Sequence, residues 1–223
     1  MSLPTARLIA QDDASKVIQK IVNAYHSDKP MRFSGSMKMY PKTNAAKVSE
    51  RMESEFILHG KKFYCSIGPL QMLLNDDYYV SVDKADKLIM IGHHKDVSGT
   101  ANVPVLNMDA FALLIKEKKI EAIISKQGGN SLLQLNDAEN VTGYSAYSIE
   151  YDASTGYMKK VLLERKDANT ASGKTMVLEI NYTIPVAISA NKNVFSEKPF
   201  FSIVNKRIQL TDNYRGYQVI NQL

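Results

Sequence analysis

The sequence predicts an α+β fold of mainly β type, a strongly curved and partly closed antiparallel sheet of about ten strands covered by helices. Three observations predict it. Residues 31–67 alternate apolar and polar side chains with a period of two, which places them on opposite faces of successive strands. Only two segments carry the helical period, so helices can cover a sheet but not build the core. No β-α-β repeat occurs, which argues against a parallel sheet.

Taken in order, Asp12-Asp13 start an amphipathic helix with Val17, Ile18, Ile21, Val22 and Tyr25 on one stripe, the acids serving as cap and as complement to the helix dipole. Asp28-Lys29-Pro30 stops it. Met31, Phe33, Gly35, Met37 and Met39 then share one face, against Arg32, Ser34, Ser36, Lys38 and Tyr40. A second strand presents Met52, Phe56 and Leu58, and after a turn at His59-Gly60 a third presents Phe63, Cys65 and Ile67. Strands follow at Leu70–Leu74, Tyr78–Val82 and Leu88–Ile91, separated by the turns Asn75-Asp76-Asp77 and Asp83–Asp86.

Asn107 caps a second helix, Met108–Lys118, with Phe111, Leu114 and Ile115 on one side. Ile120–Ser125 reads equally as its continuation or as a strand. Further strands are expected at Leu132–Leu135, Tyr144–Tyr151, Tyr157–Arg165, Thr175–Ile184, Ser202–Leu210 and Tyr217–Asn221. Nothing resembles a Pro/Gly/Ser linker, so residues 12–223 read as a single domain, with 1–11 a disordered or processed N-terminus. Leu8-Ile9-Ala10-Gln11 resembles the tail of a secretory signal peptide, and on that basis an exported protein is expected.

Composition excludes several function classes. The net charge is +5, but 23 acidic residues are threaded among 28 basic ones, and no basic run is interleaved with aromatics as a base-stacking platform requires. Nucleic acid is therefore not an expected partner, while peripheral contact with an anionic membrane surface stays open. One cysteine, Cys65, excludes an internal disulfide and falls on an apolar strand face, as a small buried hydrophobe would. No apolar run reaches the ~18 residues of a membrane-spanning helix.

Catalytic signatures are equally absent. His93-His94 point to opposite faces of a strand, no second cysteine or H-x-x-x-H completes a metal site, and no phosphate-cradling or dinucleotide loop occurs. Asp76-Asp77 read as a solvated turn. The expectation is a non-enzymatic protein without metal or cofactor. What stands out is methionine: Met31, Met37, Met39, Met52, Met90 and Met176 all fall on apolar strand faces. Long, unbranched thioether chains fill irregular core gaps, and they equally make soft walls that adapt to an acyl chain.

The order of elements resembles the periplasmic lipoprotein carriers of the LolA superfamily. The resemblance rests on the helix Asp12–Tyr25, the meander, and Leu70-Gln71-Met72-Leu73-Leu74-Asn75-Asp76-Asp77-Tyr78-Tyr79-Val80 followed by Lys87-Leu88-Ile89-Met90-Ile91. It continues in the mid-chain segment Val105–Ile115 and in the late hairpins Tyr147–Asp152, Gly156–Val161 and Gly173–Ile180. That family's arginine near the end of an early strand has no counterpart in Lys61-Lys62-Phe63-Tyr64, tryptophan is absent, and Phe195–Leu223 lies outside the resemblance.

The resemblance implies a half-open β-barrel closed by lid helices around an apolar cavity. It implies an exported, periplasmic carrier of lipid or lipoprotein acyl chains, its signal peptide removed, acting in outer-membrane biogenesis. The lining is expected from Phe33, Met37 and Met39, from Phe56, Leu58 and Phe63, and from Met90, Phe111, Leu114, Met176 and Leu178. The alternative is a non-enzymatic envelope scaffold or sensor domain with a filled interior that binds a protein partner.

Overall fold

The computed structural model describes residues 6–9, 11–94, 122–127, 129–135, 144–166, 174–189 and 193–223. Its elements are mainly strands, almost all antiparallel, with one α-helix among the described residues. In chain order they are β1 (Ala6–Ile9), α1 (Gln11–Ala24), β2 (Met31–Pro41), β3 (Glu50–His59), β4 (Lys62–Ile67), β5 (Leu70–Leu74), β6 (Tyr78–Asp83) and β7 (Leu88–His93). There follow β8 (Ala122–Gln127), β9 (Asn130–Leu135), β10 (Ala146–Asp152), β11 (Met158–Lys166), β12 (Thr175–Tyr182), β13 (Val186–Ala187), β14 (Phe201–Val204), β15 (Arg207–Leu210), a 3₁₀ turn at Asp212–Tyr214 and β16 (Gln218–Gln222).

The class is thus the predicted one, but the described strands number sixteen rather than about ten. The excess comes from short pieces that carry little side-chain signal. Ala6–Ile9, expected to be structureless, hydrogen-bonds along Ala122–Ser125, and backbone pairing of four residues leaves no periodicity to read. The expected strand Ser202–Leu210 is a hairpin, because Asn205 and Lys206 turn the chain with φ of 50° and 61°. Two successive left-handed residues make the turn that joins twisted antiparallel strands, and the lysine gives no warning of it. Ala122–Gln127, ambiguous in the sequence, is a strand. The expected helix Met108–Lys118 lies outside the described residues, as do Phe111 and Leu114.

The chain packs as two compact units. The first comprises Met1–His26, Gly35–Glu53 and Val103–Pro185. Its hydrogen-bonded order is β1-β8-β9-β10-β11-β12-β2, antiparallel throughout. One face of these strands is a continuous apolar layer: Leu133, Ile149 and Val161 are fully buried, and Leu135, Tyr147, Leu163 and Ile180 nearly so. Of the predicted stripe, Ile18, Ile21, Val22 and, just past the end of α1, Tyr25 are buried, while Val17 is half-buried. The Tyr25 hydroxyl accepts the Met158 amide at 3.1 Å, and the Tyr25 ring meets Tyr157 edge-on. The β10–β11 turn meets the helix at Gly156, where a β-carbon would stand 2.9 Å from the Lys20 carbonyl oxygen.

The second unit comprises Ser27–Ser34, Ser54–Asn102 and Val186–Leu223. Strands β3 to β7 form an antiparallel meander, β16 adds to β7 in parallel, and β13 pairs with the start of β2. Phe56, Phe63 and Cys65 are buried on the face that alternation assigns them. The opposite face is not wet. Leu73, Val80, Val82, Ile89 and Ile91 are fully buried there beneath Phe200, Phe201 and Tyr214. The tail that lies outside the sequence resemblance is therefore a structural layer. Polar contacts fix it: Tyr214 donates to Gln71 Oε1 at 2.9 Å, and Asn75 Nδ2 donates to the Phe195 carbonyl and to Glu197 Oε2. Neither strand order closes on itself among the described residues.

Candidate functional site

The half-buried residues of the first unit mark where its apolar layer is incomplete. In the β2–β12 ladder Met39 stands opposite Leu178, Met37 opposite Ile180, and Met176 opposite Pro41. Ile180 is 3% exposed, but Met37, Met39, Met176 and Leu178 are only half-buried. Met37, Met39 and Leu178 converge with Met52 on a small, partly open pocket of about 20 Å³, with Lys38 and Glu50 completing its lining. Such a volume is below the ~300–1,000 Å³ of sites that swallow a whole small molecule. It is about the room one water needs, so the methionine side chains must swing aside before an apolar chain end can enter.

The walls explain what such a pocket can do. Four of its six lining side chains are methionine or leucine, three of them thioethers with freely rotating stems. An apolar chain end entering there leaves water at about 0.8 kcal/mol per CH₂, and the methionines can swing to follow its shape. A close-packed wall of valine and isoleucine could not do so at the same cost.

One of the two charges in the lining is drawn away from the pocket. Lys38 is directed to the other face of the sheet, where its Nζ lies 3.1 Å from Glu179 Oε1. Glu179 is 8% exposed and also accepts from Tyr40 Oη at 2.9 Å and Asn181 Nδ2 at 2.9 Å, with Lys160 Nζ 3.7 Å away. Burial pushes this carboxyl up, but the hydrogen bonds from Asn181, Lys38 and Tyr40 and the Lys160 charge outweigh it and hold it below its ordinary value. The Tyr40 hydroxyl is pushed up to about 12, first by burial and then by that same carboxylate. Tyr40, assigned to the wet face by alternation, is buried within this network, with the Lys38 ammonium 5.5 Å over its ring.

The other expected lining residues are placed as follows. In the second unit the rings of Phe33 and Phe56 stack at 5.0 Å, both at most 2% exposed. Leu58 stands opposite Phe63, and Phe56 opposite Cys65, whose thiol burial pushes up to about 12. Met90 is half-buried between Ser81 and Ile220. The sequence-derived lining omits Met52, although its place on the alternating face was the available signal; Glu50 and Lys38 carried none. Among the described residues no cluster of His, Cys, Asp and Glu could hold a metal ion.

The sequence matches no family model and no curated protein. Its fold is similar to that of an uncharacterised conserved protein from Thermus thermophilus, with a TM-score of 0.51 over 94% of this chain and 99% of that one at 7% identity. A chain of the MucA/MucB complex of Pseudomonas aeruginosa is similar over 89% of this chain and 63% of that one, at 10% identity and a TM-score of 0.43. A LolA superfamily protein from Nitrosomonas europaea aligns over 85% of this chain and 99% of that one, at 8% identity and a TM-score of 0.27.

Proposed function

We propose that this chain is a non-catalytic, exported binding protein that shields part of a lipid or lipoprotein acyl chain from water. The observation that carries this reading is the methionine-walled pocket, where three of the residues expected to line a cavity, Met37, Met39 and Leu178, stand together with Met52. The pocket is small at rest, about 20 Å³, so the reading rests on thioether walls that can part to admit an acyl chain end. Met176, half-buried beside Pro41, extends the same apolar edge. The resemblance in element order to lipoprotein carriers supports the choice of acyl chain over other apolar ligands. No described helix is long and apolar enough to cross a membrane.

The test is uptake of an environment-sensitive fluorescent fatty acid by the wild type and by Met37→Asp, with far-UV circular dichroism confirming the fold. A buried carboxylate in the pocket must either be desolvated or take up a proton, so uptake is expected to fall at least tenfold. Equal uptake by a folded Met37→Asp variant, or no uptake by the wild type, removes the reading.

A further inference from the structure

The β14–β15 hairpin carries an arrangement that the acyl pocket does not use. Its base is anchored. Phe201 is 1% exposed and meets Tyr78 edge-on at 5.3 Å, Phe200 stacks on Tyr214, and Thr211 closes the base with its Oγ1 donating to the Pro199 carbonyl at 2.8 Å. Burial then falls steeply toward the tip, where Ile203 is 45% and Val204 42% exposed. The two-residue turn at Asn205 and Lys206 fixes the ribbon there, and Arg207 stands opposite Val204. From Lys198 to Thr211 there are three basic residues and no acidic one.

We propose that this tip is a docking point for an anionic lipid bilayer. Ile203 and Val204 are neighbours on one strand, so they point to opposite faces of the ribbon, yet both are exposed. A protein groove would engage one face of the ribbon. Exposure on both faces suits end-on entry into the apolar boundary of a bilayer, which surrounds the tip on every side. Lys206, in the leading turn, and Arg207, opposite Val204, then extend their long stems back to the headgroups, where their charge complements anionic phosphates. The preformed turn means that little chain entropy is lost on docking. The inference goes beyond the acyl-binding reading and does not depend on it, because the hairpin and the pocket share no residue.

Co-sedimentation with phosphatidylcholine vesicles, with and without phosphatidylglycerol, tests it. The wild type is expected to bind the anionic vesicles, to bind neutral ones weakly, and to be released by salt. Ile203→Ser with Val204→Ser should lower partitioning at least tenfold. Lys206→Asn with Arg207→Gln should lower it about fivefold per cation removed, asparagine being chosen because it tolerates the left-handed turn position. Both double variants should take up fatty acid as the wild type does, and Met37→Asp should still bind vesicles, so failure of one reading is distinguishable from failure of the other. The proposal is overturned if the wild type ignores anionic vesicles, if it binds neutral ones equally, or if the tip variants bind unchanged. It is also overturned if Ile203→Ser with Val204→Ser abolishes self-association while vesicle binding is absent, which would assign the tip to a protein interface.

Discussion

Replacing Glu179 by glutamine should lower stability by about 2 kcal/mol at neutral pH, and replacing it by leucine by about 3–5 kcal/mol. The estimate follows from the contacts. Glutamine keeps the shape, and its amide can turn toward the Tyr40 oxygen while its carbonyl keeps Asn181 and Lys38. What is lost is the charge assistance in each bond, about 1 kcal/mol where the partner is buried and less for the lysines. Both lysine side chains are about a third exposed and can return to water. Leucine removes every acceptor and leaves the buried Tyr40 hydroxyl without its partner. The pH dependence has a definite sign. Since the folded carboxyl titrates below its ordinary value of 4.5, its contribution is fully present above that value and is lost as pH falls through the folded one. Urea unfolding of wild type and Glu179→Gln at pH 7 and through the range 5 to 3 should therefore show a gap that narrows only on the acid side. A gap under about 0.5 kcal/mol at pH 7, or one that does not change with pH, would refute the argument.

Two further outcomes follow from the packing. Phe201→Ala should cost about 3–5 kcal/mol in urea unfolding, because the ring is fully enclosed between β6 and the tail; a loss under about 1 kcal/mol would mean that residues 193–217 merely rest on the meander. Gly156→Ala should cost about 1–3 kcal/mol, since φ is +84° and the added carbon meets the Lys20 carbonyl at 2.9 Å and Ala24 Cβ at 3.1 Å; amide exchange in α1 should quicken, and an unchanged melting curve would sink the claim.

What the sequence revealed and what it hid have separable causes. Alternation is a local property, so β2 to β6 are legible within a residue or two, and the buried faces of β3 and β4 follow directly. The covering of the second face in the second unit is a long-range event, made by residues 193–217 over strands that end a hundred positions earlier. Even so, Leu88-Ile89-Met90-Ile91 is a continuous apolar run, the mark of a strand buried on both sides, and could have announced it. The division into two units left no linker to find because its boundary passes through the strands β2 and β3 themselves.

The candidate site follows the same logic one level higher. Periodicity places Met37, Met39, Met52 and Leu178 on apolar faces, but a face becomes a pocket only where neighbouring side chains fail to meet, which is a matter of register. The decisive register is that of β12 on β2: it sets Ile180 against Met37 in a filled layer and Leu178 against Met39 at its open margin. A slip of one residue would set Val177 against Met39 and Glu179 against Met37, and so bring a carboxylate to the apolar face. Glu179 on the opposite face, held by Tyr40, Lys38 and Lys160, penalises that slip, since a carboxylate moved to the apolar side would lose all its partners. The ion network behind the sheet thus fixes the register that leaves the methionines of the other face exposed to a ligand, which makes Glu179 a positioning residue for the pocket. If so, Glu179→Leu should weaken fatty-acid uptake more than Glu179→Gln does in variants that both remain folded, and equal uptake by the two would separate the network from the site.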